Sequence, residues 1–85
     1  LYVPRKPTLF RHDGFLFCFY SNELHPLEPA HVHVWNVERE AKVWLRPEVS
    51  VADSFDLDAK KLRRLVSVIE ARRDVIERAW HDHFA

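Results

Sequence analysis

The stretch His31-Val32-His33-Val34-Trp35 decides how this chain is read. Side chains of a β-strand alternate between its two faces. Val32 and Val34 therefore share one face, while His31, His33 and Trp35 share the other. The valines predict core. Two imidazoles and an indole on the opposite side predict an exposed site or an interface. Downstream, a loop over residues 36–39 sets Val34 opposite Ala41 and Val32 opposite Val43, which keeps apolar residues together. The same register sets His31 beside Trp44 and His33 beside Lys42. A slip of one residue would carry the valines to solvent.

Upstream, Asp13-Gly14 predicts a two-residue hairpin turn of type I′, which needs positive φ at both positions. Gly14 is the only glycine in the chain. The turn joins a strand over 8–12 to a returning strand over 15–20 that is apolar on both faces, as a central strand would be. Phe10 then lies opposite Phe17, and Leu9 opposite Cys18. Pro4 and Pro7 keep the first residues extended, and residues 21–30, with Pro26 and Pro29, read as a loop. Pro47 ends the second hairpin, and residues 49–52 add a short edge segment. Asp58 is a good N-cap for a helix beginning just after it. Leu62, Leu65, Val66, Ile69, Ile76, Ala79 and Trp80 recur at helical spacing, predicting one long amphipathic helix to about Phe84. Arg72 and Arg73 interrupt that stripe, which calls for a kink or for arginine stems lying along the core edge.

The expected fold is α+β in a single domain over 1–85. A small antiparallel β-sheet of two β-hairpins is packed on one face by a long C-terminal α-helix. Residues 1–7 form an extended arm, 8–54 the β-rich part and 58–84 the helix. A chain of 85 residues buries one modest core. Six Phe and three Trp place it in the globular class. The 13 Lys and Arg balance the 13 Asp and Glu, so no global field draws in nucleic acid or membrane. A single cysteine, Cys18, excludes an internal disulfide framework and fits a reducing compartment. No apolar stretch reaches membrane length and no basic-then-apolar leader is present, so the expected location is cytoplasmic, without a membrane partner. The first residue is Leu1 rather than Met, which leaves room for residues upstream.

Five segments occur in order: Pro7-Thr8-Leu9-Phe10-Arg11, Phe19-Tyr20-Ser21-Asn22-Glu23, His31-Val32-His33-Val34-Trp35, Glu40-Ala41-Lys42-Val43-Trp44-Leu45 and Ala79-Trp80-His81. On these the chain resembles the bacterial family known as domain of unknown function 4160, from about Pro7 to Phe84. The resemblance implies a small bacterial protein, often encoded beside a second small domain in an arrangement like a toxin–antitoxin or regulator pair. It implies no mechanism, because the family has no established activity. The chain departs from the family between Glu23 and His31, where its loop is longer than the compact Pro-Pro-containing version.

The His31 and His33 side chains, about 6.5–7 Å apart along one strand face, suit several chemistries. One is metal binding, with Glu23, His25 or Glu28 as a third ligand. No fixed Cys or His-x-x-x-His motif supports it, so no tight zinc site and no cofactor are expected. A second is acid–base catalysis of the ribonuclease type, with His31 or His33 moving the proton and Lys42 stabilising charge on phosphate. A third is nucleic-acid binding, RNA or DNA, with Trp35 and Trp44 as stacking surfaces. A fourth is a protein-interaction face, where exposed aromatics are enriched.

Lys61, Arg63 and Arg64, with Lys60 beside them, form a basic cluster in the first helical turns, where cations oppose the helix dipole. They lack acidic residues four positions on, unlike Arg73 with Glu77 and Asp74 with Arg78. The cluster therefore reads either as a contact for a partner's negative charge or as a solvated face. Cys18 reads as a small apolar residue in the sheet. The function these readings favour is binding of a small operon-encoded protein, of nucleic acid, or of both, through an exposed His/Trp sheet face. A homo-oligomer is a further possibility, and a small ribonuclease toxin is the alternative.

Overall fold

The computed structural model describes residues 8–19 and 28–84. Five strands form one antiparallel sheet in the order β1-β2-β3-β4-β5: Thr8–His12, Phe15–Cys18, His31–Trp35, Glu40–Trp44 and Ser50–Phe55. Two helices come after them, α1 over Ala59–Ala71 and α2 over Arg73–Phe84. The class is α+β, as the hydrophobic pattern predicts.

The β1–β2 turn forms at Asp13 (φ 53°) and Gly14 (φ 78°), the two positive values that a type I′ turn demands. Phe10 lies opposite Phe17 and stacks on it, ring centroids 4.5 Å apart. Leu9 does not face Cys18. A bulge between Thr8 and Phe10 brings Thr8 to that position instead. An extra residue in one strand shifts every partner before it by one. β3 and β4 pair in the expected register, with Val34 opposite Ala41, Val32 opposite Val43, His31 opposite Trp44 and His33 opposite Lys42. Asn36 closes their loop: its side-chain Oδ1 accepts from the backbone N–H of Glu38 and Arg39, at 2.9 and 2.8 Å.

Two features of the expected fold are corrected. The segment after Pro47 is a full strand, six residues long and paired along β4, rather than a short edge piece over 49–52. It escapes the alternation rule because a bulge opposite Lys42 and Val43 breaks its period, and all six of its residues are exposed. The single long helix is two helices. The N–H of Arg72 is shared between the carbonyls of Val68 and Ile69, at 3.2 and 3.1 Å, so α1 ends in a tightened turn. Both remedies expected for the paired arginines occur together at this break. Arg72 lays its guanidinium 4.3 Å over the Phe10 ring. Arg73 donates to Glu77 Oε1 at 3.0 Å and to the carbonyl of Pro47 at 3.0 Å.

The core lies between the helices and the valine face. Phe17, Val32, Val34, Ala41 and Val43 meet Leu65, Ile69, Ile76 and Trp80 in one apolar cluster. The break at Arg72 gives the two helices different tasks. The first turns of α1 lie beside the β1–β2 turn, where His12 and Asp13 share a cleft with Lys60 and Arg64. α2 lies across the other end of the sheet, where Trp80 packs on Phe19 and Glu77 takes a hydrogen bond from Arg46. No helix among the described residues is long and apolar enough to cross a membrane.

Candidate functional site on the outer sheet face

Antiparallel pairing lines the outer face up in rows. One row runs Cys18, His33, Lys42, Asp53 across four strands; the next runs Leu16, Trp35, Glu40, Phe55; a third holds His31, Trp44 and Ser50. Side chains directly opposite one another sit about 4.5–5.5 Å apart at Cβ, so each row is a continuous strip of contacts. The face predicted from alternation exists, and it brings His31, His33, Trp35, Lys42 and Trp44 together.

It is not open along its length, which corrects the expectation of an exposed histidine pair. His31 is 0% exposed and His33 7%. α2 contributes to this burial through Trp80, whose ring centroid comes within 4.9 Å of the His31 ring. The Trp44 ring stands edge-on to His31 at 5.5 Å and the His33 ring at 5.2 Å. His31 Nδ1 lies 2.9 Å from the carbonyl oxygen of Pro29. A carbonyl only accepts, so Nδ1 carries the proton and the tautomer is set. A general acid or base must come within hydrogen-bond reach of a substrate. The His31 ring, packed by Trp80 and Trp44 and tied to the backbone, is turned away from solvent.

His33 keeps a narrow opening. It lines a groove of about 230 Å³ with Glu40, Lys42, Asp53, Ser54 and Phe55. Lys42 is not the free cation that phosphate stabilisation would need. Its ammonium donates to the Glu28 carboxylate and lies 4.7 Å over the Trp44 ring. Trp35 is half-buried, and its indole N–H donates to the Cys18 sulfur at 3.3 Å. Among the described residues no group of three or more His, Cys, Asp or Glu is placed to hold a metal ion. His25 and Glu23, and most of the loop between Glu23 and His31, lie outside the described residues.

The basic cluster on α1 divides. Lys61, expected to lack acidic pairing, has it: Asp58 Oδ1 accepts the backbone N–H of Lys61 at 2.8 Å, and the Lys61 ammonium lies 3.7 Å from Asp58 Oδ2. The partner is the N-cap three residues back, not a residue four positions ahead. The hydrogen bond from the Lys61 N–H, with the lysine charges behind it, holds the Asp58 carboxyl below its ordinary value of 3.8. Arg63 and Arg64 are exposed, and with Lys60 they line a cleft of about 340 Å³. The opposite wall is His12 and Asp13, from the β1–β2 turn. The Asp13-Gly14 signal located the turn, but nothing in the sequence placed it against α1. Asp53 and Phe55 were missed for a related reason, since the bulge hides their strand.

An antiparallel sheet whose valine face is packed by the helices, with Trp80 of α2 also reaching His31 on the half-open aromatic and histidine strip of the other face, defines a small α+β domain. Residues 14–81 match the family described as a domain of unknown function, DUF4160, and the chain belongs to that family. No curated protein matches it, and no solved structure does either.

Proposed function

We propose that this protein is one half of a toxin–antitoxin-like or regulatory pair, works by binding rather than by catalysis, and acts in the cytoplasm. The partner is a small protein, and its contact is the open end of the outer sheet face. One observation carries this reading. Phe55 is 69% exposed, next to Asp53 and Lys42 around the groove floored by His33, on a strand that ends the sheet. An exposed aromatic ringed by polar side chains has the composition of an interface centre, and an edge strand offers unpaired backbone groups to a partner.

The ribonuclease alternative is supported less. Acid–base cleavage of RNA calls for a proton acceptor and a proton donor; among the described residues His31 is buried and the lysine beside His33 is already held by Glu28. Co-expression with the product of the adjacent gene, then size-exclusion chromatography, tests the binding reading. A complex is expected with the parent chain and not with Phe55→Ser or Asp53→Lys, while thermal unfolding of the variants stays unchanged. Complexes of equal strength in all three would remove the outer face from the contact. RNA cleavage that vanishes in His33→Ala would favour the enzyme instead.

A further inference from the structure

We propose that the cleft between the β1–β2 turn and α1 is a second interaction surface, which receives an acidic segment of a partner protein carrying one apolar anchor. It is distinct from the outer-face contact, because its lining shares no residue with the groove around His33 and Phe55. Lys60, Arg63, Arg64 and Ser67 succeed one another at the spacing that puts side chains on one helix stripe. His12 and Asp13 form the facing wall, and Leu65 with Val68 lies between them.

Charge argues for an acidic occupant. The cleft holds Lys60, Arg63 and Arg64 against one carboxylate, Asp13, which lies 3.9 Å from His12. Among the described residues no salt bridge engages Lys60, Arg63 or Arg64. Lys42, Arg46, Lys61 and Arg73 are each matched to a carboxylate. Arginine beside apolar surface is also the composition enriched where proteins bind one another.

The cleft floor argues for a peptide over nucleic acid. A phosphate backbone would leave the half-buried Val68 uncovered, and His12 is the one aromatic ring lining this cleft, too little for a stacking platform. Its volume, about 340 Å³, is at the small end for ligand pockets and suits an anchoring side chain. A smaller groove of about 180 Å³ shares Asp13, Arg64 and Leu65 with it and runs on to Phe15 and Lys61, lengthening the track for an extended segment.

Fluorescence anisotropy with three labelled probes tests this. They are a short peptide of glutamates interrupted by single leucines, an all-glutamate peptide of the same length, and single-stranded RNA of matching charge. The leucine-containing peptide is expected to bind about tenfold tighter than the all-glutamate one, from burial of the anchor. Arg63→Glu with Arg64→Glu should cut its affinity at least about tenfold and flatten its salt dependence, with the circular dichroism spectrum unchanged. Val68→Ser should narrow the gap between the two peptides, an effect that loss of charge alone would not produce. RNA binding equal to or tighter than the leucine peptide would overturn the proposal in favour of a phosphate surface. Self-association abolished by the arginine reversal would assign the cleft to a second copy of the chain. Equal binding of the peptides to parent and double variant would leave a solvated face.

Discussion

On the inner face of the sheet, Phe17, Val32, Val34 and Val43 are sealed by Leu65, Ile69 and Ile76. On the outer face, His31 and His33 are closed off at the end covered by Trp80, while Asp53 and Phe55 stay open at the end that β5 borders. Both faces bury side chains, by different chemistry. Aliphatic contacts are non-directional, and their worth scales with the area removed from water. An imidazole in the same position must also satisfy its ring nitrogens, which is why His31 reaches the Pro29 carbonyl. Burial on the outer face is therefore conditional on hydrogen bonds in a way that burial on the inner face is not.

Substitutions at four positions put that contrast at risk. The largest effect is expected from Ile69→Ala, where an inner-face side chain that is 0% exposed leaves a cavity. Denaturant unfolding should register a loss of about 2–5 kcal/mol. A loss below about 1 kcal/mol would mean that α1 does not seal the inner face.

His31→Ala comes next. It removes the ring on which Trp80 and Trp44 pack and strands the Pro29 carbonyl, with an expected loss of about 1–3 kcal/mol. His31→Asn, which keeps a side-chain N–H near that carbonyl, should recover part of it. If the alanine variant unfolds like the parent, His31 is not structural and its catalytic reading returns.

Asp58 sets a smaller, pH-dependent contribution. Its carboxyl is held below 3.8 in the folded chain, so its capping contribution is complete above that value and is lost as pH falls through the lowered one. Asp58→Asn keeps an N-cap acceptor and removes the titration. Helicity measured by circular dichroism should diverge between parent and variant only in the acid range. Divergence near neutral pH would place the effect elsewhere.

The least change is expected at the open end of the outer face, where Phe55→Ala should alter stability by less than about 0.5 kcal/mol. A loss near that of Ile69→Ala would show Phe55 to be part of the fold, and not a surface held ready for a partner.

Local sequence pattern accounts for much of this architecture. Alternation set the β3–β4 register, Asp13-Gly14 set the first turn, and Asp58 with the apolar stripe set the start and inner face of the helical part. Each depends on neighbours a few residues apart, and steric or hydrogen-bonding rules connect such neighbours directly to sequence. The β5 strand was legible only in part, because the extra residue of its bulge shifts its alternation against β4. The role of the outer face was not legible. A strand pattern states which side chains share a face, but whether that face meets water depends on elements far along the chain. Here long-range packing enters through Trp80, nearly fifty residues along the chain, whose ring meets His31. The same applies to the cations of α1. Lys61 is matched by the N-cap carboxylate three residues before it, whereas the setting of Arg63 and Arg64 is completed by a turn some fifty residues earlier in the chain. Charge and burial are properties of what packs alongside, and such distant neighbours are what the order of residues does not spell out.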